Sequence, residues 1–380
     1  MRLLVFNYEF PPIGGGAGNA AFHIARELVR SGDQVFVITS QYKGLSKSET
    51  KEGINIIRIP AWRRYKNKSN PVQMSLYILS SIWFLLTKGR VLKPDISLAF
   101  LGIPSAPPAL FLKILRKIPY IVSLRGGDVP GTQPEQLAFF HKITKPLIRL
   151  IWKNAVKLVA NSCGLAKLAK KTLPRIDIPV IPNGVDLEFF HPTEKTKPKQ
   201  EDVCRFLFVG RASGEKNIPE ALEALSTLLD FPWEFRVIGD GPELQGWKEV
   251  ASNKGMEQKT RFPGWKSRNE LVSFYRKSNI FVFPSTSEGM PNAVLEALAC
   301  GLPVVATRIR GNEDLIQHEV NGYLYAPGDV EALSGYLKIL IENRNLRNEM
   351  SLRARKRAEQ FSWGKVAGDY RNLLKEALSD

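Results

Sequence analysis

The chain has 380 residues, 44% hydrophobic and 24% charged, more than one hydrophobic core usually serves, so two domains of an ordinary globular protein are expected. Cys163, Cys204 and Cys300 lie far apart without CxxC spacing, each in or beside an apolar segment, which excludes a disulfide scaffold and reads as buried free thiols in a reducing compartment. The net charge of +17 is one-sided: residues 1–190 carry 27 Lys/Arg against 11 Asp/Glu, whereas 191–380 carry 27 against 26, so any acidic partner belongs to the first half.

In chain order, strand-like runs alternate with helical ones. RLLVFN is followed by a helix from about Asn19 to Arg30, then QVFVITS, INIIRIP, a helix over 71–90, DISLAF, PYIVSL and KLVANS. HPTEKTKPKQEDV, residues 191–203, is polar and bears proline, and reads as a linker. The alternation resumes with RFLFVG, a helix from Pro219 to Leu229, EFRVIG, a helix near Leu244, TRFPGW, a helix from Arg268 to Lys277, IFVFPS, a helix holding Glu296, and PVVAT. Beyond Asp329 one long helix is expected, then FSW and a last helix from Lys365 to Leu378. Repeated βα units imply parallel sheets covered by helices on both faces, with ligands at the carboxyl edges of the strands. The fold class is therefore α/β: two doubly wound domains, 1–190 and 204–360, facing across a cleft. The opening MRLLVFNYEF is too short and too soon broken by proline for a signal peptide, so a cytoplasmic location is expected.

Two basic segments carry apolar residues. Cations flank Met74–Thr87, about 14 residues and short of the roughly 20 that span a bilayer. HKITKPLIRLIWKNAVKL mixes Lys and Arg with Ile, Leu and Trp152 at helical spacing, as helices lying in a membrane interface do. Either alone is equally a core helix with a solvated basic face. With the excess charge, the two together point to peripheral contact of the first domain with an anionic membrane, at its inner face. Nucleic acid is not expected, because no reading motif occurs.

Residues able to do chemistry fall at strand ends. After RLLVFN, the glycines Gly14, Gly15, Gly16 and Gly18 open a helix, where backbone amides can approach an anion. The spacing is neither GxGxxG nor that of an ATPase phosphate loop, and an unliganded turn is the alternative. In the second domain Arg211 and Lys216 follow FVG at the mouth of a helix, as a diphosphate clamp or as two solvated loop cations. GDGPE (Gly239–Glu243) and FPGW (Phe262–Trp265) end the next two strands. In SEGMPNAVLEALACG, Glu288 is explained by the helix dipole alone, whereas Glu296 interrupts an apolar helix between two apolar strands and needs donors.

FVGR with EKN, GDGPE, FPGW and PSTSEGMPNAVLEALACGLPVVAT, in this order, resemble the nucleotide-sugar domain of retaining glycosyltransferases of the GT-B fold, family 4. GGGAG, RGGD, ANS and IPNGVD resemble that family's first domain, so the likeness covers almost the whole chain. It implies that the first domain binds the acceptor and that residues 361–380 form a helix crossing back to it. It further implies that Glu296 holds the ribose hydroxyls, with Gly239, Gly264, Trp265 and Lys266 around the nucleoside. Glu288 would face the donor sugar; Arg211, Lys216, Gly15, Gly16, Gly289, Met290 and Asn292 would hold its phosphates. Asn183 and Asp186 would shape the hinge. Where the family usually shows histidine in an HGxD-like segment, this chain has Arg125, with Asp128 retained. Arginine cannot act as a base, so Arg125 is expected to contact phosphate or sugar, with Asp128 beside it.

The expected reaction moves a hexose from a nucleoside diphosphate sugar, with uridine ahead of guanosine, to a saccharide or lipid-linked saccharide in polysaccharide or lipopolysaccharide assembly. No cofactor is expected. The absence of Asp-x-Asp and of any clustering among His23, His141, His191 and His318 predicts metal independence. A nucleotide-sugar epimerase of the same fold, or a nonenzymatic membrane-docking protein that binds nucleotide sugars, would share much of this pattern; intact Arg211, Lys216, Glu288 and Glu296 argue against an idle site. A pyridoxal-phosphate phosphorylase would be far longer.

Overall fold

The computed structural model describes residues 1–66, 69–132, 134–193 and 203–379. They form two compact units, Met1–Asn183 with Trp363–Asp380, and Gly184–Ser362.

The first unit contains β1 (Arg2–Phe6), α1 (Gly16–Arg30), β2 (Gln34–Ser40), β3 (Ser48–Lys51), β4 (Ile54–Ile59), α2 (Pro71–Thr87), β5 (Ile96–Phe100), α3 (Ala106–Arg116), β6 (Tyr120–Leu124), α4 (Pro134–Asn154), β7 (Lys157–Ala160) and α5 (Cys163–Lys170). Its sheet runs β3-β4-β2-β1-β5-β6-β7, parallel except for the antiparallel β3. β5 and β6 are buried along their whole length, as strands covered on both faces must be. Ala21, Ile24 and Leu28 of α1 fill one face of the sheet, while Tyr77 of α2, Leu112 of α3 and Trp152 of α4 fill the other.

The second unit contains β8 (Cys204–Val209), α6 (Ile218–Ser226), β9 (Trp233–Ile238), α7 (Leu244–Asn253), β10 (Thr260–Gly264), α8 (Arg268–Lys277), β11 (Ile280–Phe283), α9 (Asn292–Ala299), β12 (Val304–Thr307), α10 (Arg310–Glu313), β13 (Gly322–Tyr325), α11 (Val330–Glu342) and α12 (Arg344–Ala358). Its six strands, ordered β10-β9-β8-β11-β12-β13, are all parallel. In both sheets the order of strands turns back beside the first strand, between β1 and β5 and between β8 and β11, where doubly wound folds open a crevice.

The last helix, α13 (Trp363–Ser379), belongs to the first unit and lies along α1, with Trp363 stacked on His23 at 4.9 Å. Its Tyr370 is buried. The hydroxyl shares a 2.7 Å hydrogen bond with Ser123 and accepts another from Arg125 Nη2 at 3.0 Å. This ties the C-terminal helix to the end of β6.

Several expectations need correction. The first unit ends at Asn183 rather than 190, because Val185 and Phe190 are buried in the second core and Val185 pairs with Ser362. Most of the expected linker, residues 194–202, lies outside the described residues. The long helix after Asp329 is two helices: Asn343 leaves helical geometry and its side chain accepts from the Leu346 amide at 2.9 Å, capping α12. β3 went unanticipated because SETK has no apolar residue; it is an exposed edge strand held by β4 alone. β13 was also missed. Cys163 is exposed, since it opens α5 directly after the Ser162 cap; Cys204 and Cys300 are buried. Among the described residues no helix is long and apolar enough to cross a membrane.

Tyr370→Phe leaves the buried Ser123 hydroxyl and one end of the Arg125 fork without their shared partner. It should cost about 1–3 kcal/mol, read as a lowered urea midpoint with an unchanged far-ultraviolet spectrum.

Candidate active site

In the second unit the loops after β8, β9 and β10 are laced together at the carboxyl edge. Gly210 donates to Ile238 O at 3.0 Å, Ala212 to Asp240 O at 2.9 Å, and Gly239 to Gly264 O at 3.1 Å. Gly239 is required here: its φ is +143°, and a Cβ would lie 1.8 Å from Gly210 O. Trp265 and Lys266 follow on the same rim. Trp265 is exposed, and Lys266 reaches Glu270 at 3.5 Å.

The charged centre is built from the loops after β8 and β11. Lys216 Nζ forms an ion pair with Glu288 Oε1, and Ser285 Oγ donates to the same oxygen at 3.0 Å. The loops are also joined through the main chain, Thr286 N to Glu215 O at 2.8 Å. Burial pushes the Glu215 carboxyl up, but the Ser213 hydroxyl, its own amide and the nearby Lys216 and Arg211 charges outweigh that, holding it below the ordinary range. Both cations therefore lie near enough to Glu215 to act on its carboxyl. Arg211 is exposed and, among the described residues, pairs with no carboxylate.

α9 starts at Asn292, with Pro291 at the cap position and no capping side chain, so Gly289, Met290 and Asn292 lead directly into a helix N-terminus. Among the described residues no atom outside its neighbours lies within 4 Å of where a Gly289 Cβ would sit, whereas one on Gly311 of α10 would lie 2.9 Å from the Glu288 and Gly289 carbonyls. Gly311 thus braces the Glu288 loop from behind while the other side stays open.

One turn into α9, Glu296 accepts the Tyr275 hydroxyl at 2.9 Å. Packing around the carboxyl raises its pKa from the ordinary 4.5 to about 7, against the opposing effects of the Tyr275 hydrogen bond and the Arg268 charge. Part of the residue keeps access to solvent. Asp186, read as a hinge residue, is the partner of Arg268 at 2.8 Å.

In the first unit the residues expected at the site occupy the carboxyl edge of its own sheet. Gly14 has φ +91° and lies against Glu9, whose Oε2 accepts from the Gly15 amide at 3.1 Å; Gly16 begins α1. A carboxylate thus already takes one of the amides expected to meet phosphate. Asp128 is buried and accepts from the amides of Gly102 (2.8 Å), Arg125 (3.0 Å) and Gly126 (2.9 Å), joining the loops after β5 and β6. Burial raises its pKa in spite of these amides. The Arg125 guanidinium donates to Asn183 Oδ1 at 2.7 Å as well as to Tyr370, and lies 4.8 Å from the centre of the Phe100 ring. These bonds use one N–H on each terminal nitrogen, while its buried Nε has no partner among the described residues.

The structure thus brings Arg211, Lys216, Glu288, Gly289, Met290, Asn292 and Glu296 together in one unit, and Gly15, Gly16, Arg125 and Asp128 in the other. Sequence reasoning missed Glu9, Tyr275, Ser285 and Gly311. Gly311 had a local signal, a glycine inside a helix; Glu9 and Ser285 act on Gly15 and Glu288, six and three positions away, through loop turns that periodicity does not encode, and Tyr275 meets Glu296 across 21 positions.

With the geometry in place, the chain can be set beside known proteins. The family model for Glycosyltransferase Family 4 matches residues 14–189 and that for Glycosyl transferases group 1 matches 191–357. The chain is 31% identical over 293 residues, 75% of its own length and 71% of the relative's, to TuaC of Bacillus subtilis, whose name assigns it to teichuronic acid biosynthesis. Sucrose-phosphate synthase from Thermosynechococcus elongatus superposes with a TM-score of 0.82 at 18% identity, covering 99% of this chain and 98% of that one. HepE of Anabaena in complex with UDP gives 0.79 at 18% identity, over 99% and 100%. The fold is GT-B. The chain belongs to glycosyltransferase family 4 and is a glycosyltransferase.

The Glu296 shift has a measurable sign. A carboxyl whose folded pKa lies above its unfolded one stabilises the fold at low pH, and that contribution fades as pH rises from about 4.5 to about 7. Glu296→Gln, neutral throughout, should lack this decline, so the difference in melting temperature between variant and native protein should grow in the variant's favour across that window.

Proposed function

We propose that the protein is a retaining, metal-independent hexosyltransferase that uses a UDP-sugar and delivers the sugar to a lipid-linked saccharide in polysaccharide assembly at an anionic membrane face. The observation that carries this reading is the Lys216–Glu288 pair beside Arg211 at the start of α9. Breaking the bond to the nucleoside diphosphate leaves negative charge on phosphate and develops positive charge on the sugar. Two cations and a helix N-terminus meet the first charge, and a carboxylate meets the second. On donor binding Lys216 exchanges part of its hold on Glu288 for the diphosphate, leaving Glu288 free to take a sugar hydroxyl. Glu296, ionised, accepts the ribose hydroxyls, with Trp265 and Lys266 on the nucleoside side.

UDP is favoured because HepE is solved with it, and a polymer acceptor because TuaC is named for teichuronic acid. Metal independence is supported by the two cations already present, which can take the charge a metal would otherwise meet. Asp128 is the positioning residue of the RGGD loop. Arg125, held by Asn183 and Tyr370, would offer a remaining edge to sugar or phosphate, which suits a route in which the leaving phosphate takes the acceptor proton.

Membrane contact rests on two helices of the first unit. α2 exposes Val72, Leu79, Trp83 and Leu86, and α4 exposes Phe139, Ile143, Leu147 and Leu150 with Lys142, Arg149 and Lys153 between them. Such apolar stripes set among cations suit an interfacial helix.

Incubation with labelled UDP-hexose and a lipid extract should move label into the organic phase; label that stays in a free sugar or a new nucleotide sugar, equally with and without lipid, would sink the transferase reading in favour of an epimerase. Arg211→Ala and Lys216→Ala should each lower kcat about 10²–10³-fold; Arg211→Ala should keep a melting temperature close to the native value, whereas Lys216→Ala, which leaves the partly buried Glu288 carboxylate unpaired, should lower it. Saturating UDP at about 100 times its Kd should stabilise the protein by about 2.7 kcal/mol, more than GDP at the same concentration, in a thermal-shift comparison.

A further inference from the structure

α2 is apolar on every side although only one side is covered. Tyr77 and Leu85 face the core, Tyr77 donating to Ile38 O at 2.9 Å, and Arg116 of α3 pins the helix end through Leu85 O and Gly89 O, both at 2.8 Å. Between its outer half and the sheet edge runs a groove of about 890 Å³, within the roughly 300–1,000 Å³ typical of ligand pockets. Ile57, Ile59 and Pro60 form one wall, and Leu79, Trp83 and Leu86 the other. A helix apolar all round is normally enclosed; here Trp83 is 68% exposed.

The charge at the groove selects its occupant. Residues 54–93 contain eight Lys/Arg and no Asp or Glu. Arg58, at the floor, is spent on Glu49 and Ser46 O. Lys47 and Lys88, also in the lining, are exposed, and among the described residues neither pairs with a carboxylate. An apolar slot with two unspent cations matches one molecule bearing a hydrocarbon chain and an anionic head.

We infer that the groove between α2 and the β3–β4 edge binds one acyl chain of an anionic phospholipid, with Lys47 and Lys88 on its phosphate. This rests on the membrane-docking reading above and adds to it: docking by outward stripes needs only an interface, whereas the groove withdraws a single chain from the bilayer. Desolvation of the chain supplies affinity, and the two lysines select the anionic leaflet.

The test uses the full-length protein with lysophosphatidylglycerol below its micelle-forming concentration, followed by tryptophan fluorescence with Trp83→Phe to assign the signal. Saturable one-to-one binding is expected, weakened at least about tenfold by Ser80→Trp, which fills the groove from α2. Lys47→Glu with Lys88→Glu, on the surface and harmless to packing, should weaken it similarly, while lysophosphatidylcholine should bind the native protein less tightly. In parallel, native and Ser80→Trp proteins are floated with vesicles of phosphatidylglycerol and phosphatidylcholine. Lysolipid binding that is absent, or unchanged in the Ser80→Trp and the double lysine variants, overturns the groove; continued flotation then leaves membrane docking standing. Failure of the native protein to float as well removes both.

Discussion

The charged centre depends on one ion pair, Lys216 with Glu288, made by loops that follow two adjacent strands of the second sheet. Without a ligand, a cation and a carboxylate set close together neutralise each other, and each would be costly to leave alone in a partly buried position. The pair therefore does two jobs. It holds the loop after β8 against the loop after β11, with help from the Glu215–Thr286 main-chain bond, and under the proposed reaction it keeps in place the two charges that a departing phosphate and an electron-poor sugar would require. Gly311 lets the backbone behind Glu288 approach that loop closely, and Gly239 does the same where the loop after β9 meets the loop after β8.

The first unit meets a different constraint. Its loops carry buried polar groups that must be satisfied internally. Asp128 answers three amides, Tyr370 bridges Ser123 and Arg125, and Asn183 takes the other end of the same guanidinium. The C-terminal helix is thus part of the RGGD loop's support, so the last residues of the chain bear on a segment some 245 positions earlier. An arginine in the place where the family usually has histidine fits this use: a planar fork can hold two acceptors at once, which an imidazole could not do in the same geometry.

The charge asymmetry finds a structural counterpart in that unit as well. Cations there are interleaved with apolar residues on helices whose inner faces already fill the core. Their outer faces are therefore surplus to folding, and it is on this surplus apolar surface that the proposed membrane contact rests.

The sequence by itself determined the alternating elements, the two parallel sheets, the glycine-rich strand ends and the family, because periodicity, turn chemistry and motif order are local and survive without a fold. Helix ends were legible to within a few residues. What failed lacked a local signal: an edge strand without apolar residues, a break at a single asparagine, a cysteine on an outward helical face. Only the tertiary structure decided who partners whom. Lys216 meets Glu288 across 72 positions and Tyr275 meets Glu296 across 21, because strand order in a doubly wound sheet, not distance along the chain, sets which loops lie side by side. The same holds for the groove beside α2, which exists only where that helix lies against the sheet edge.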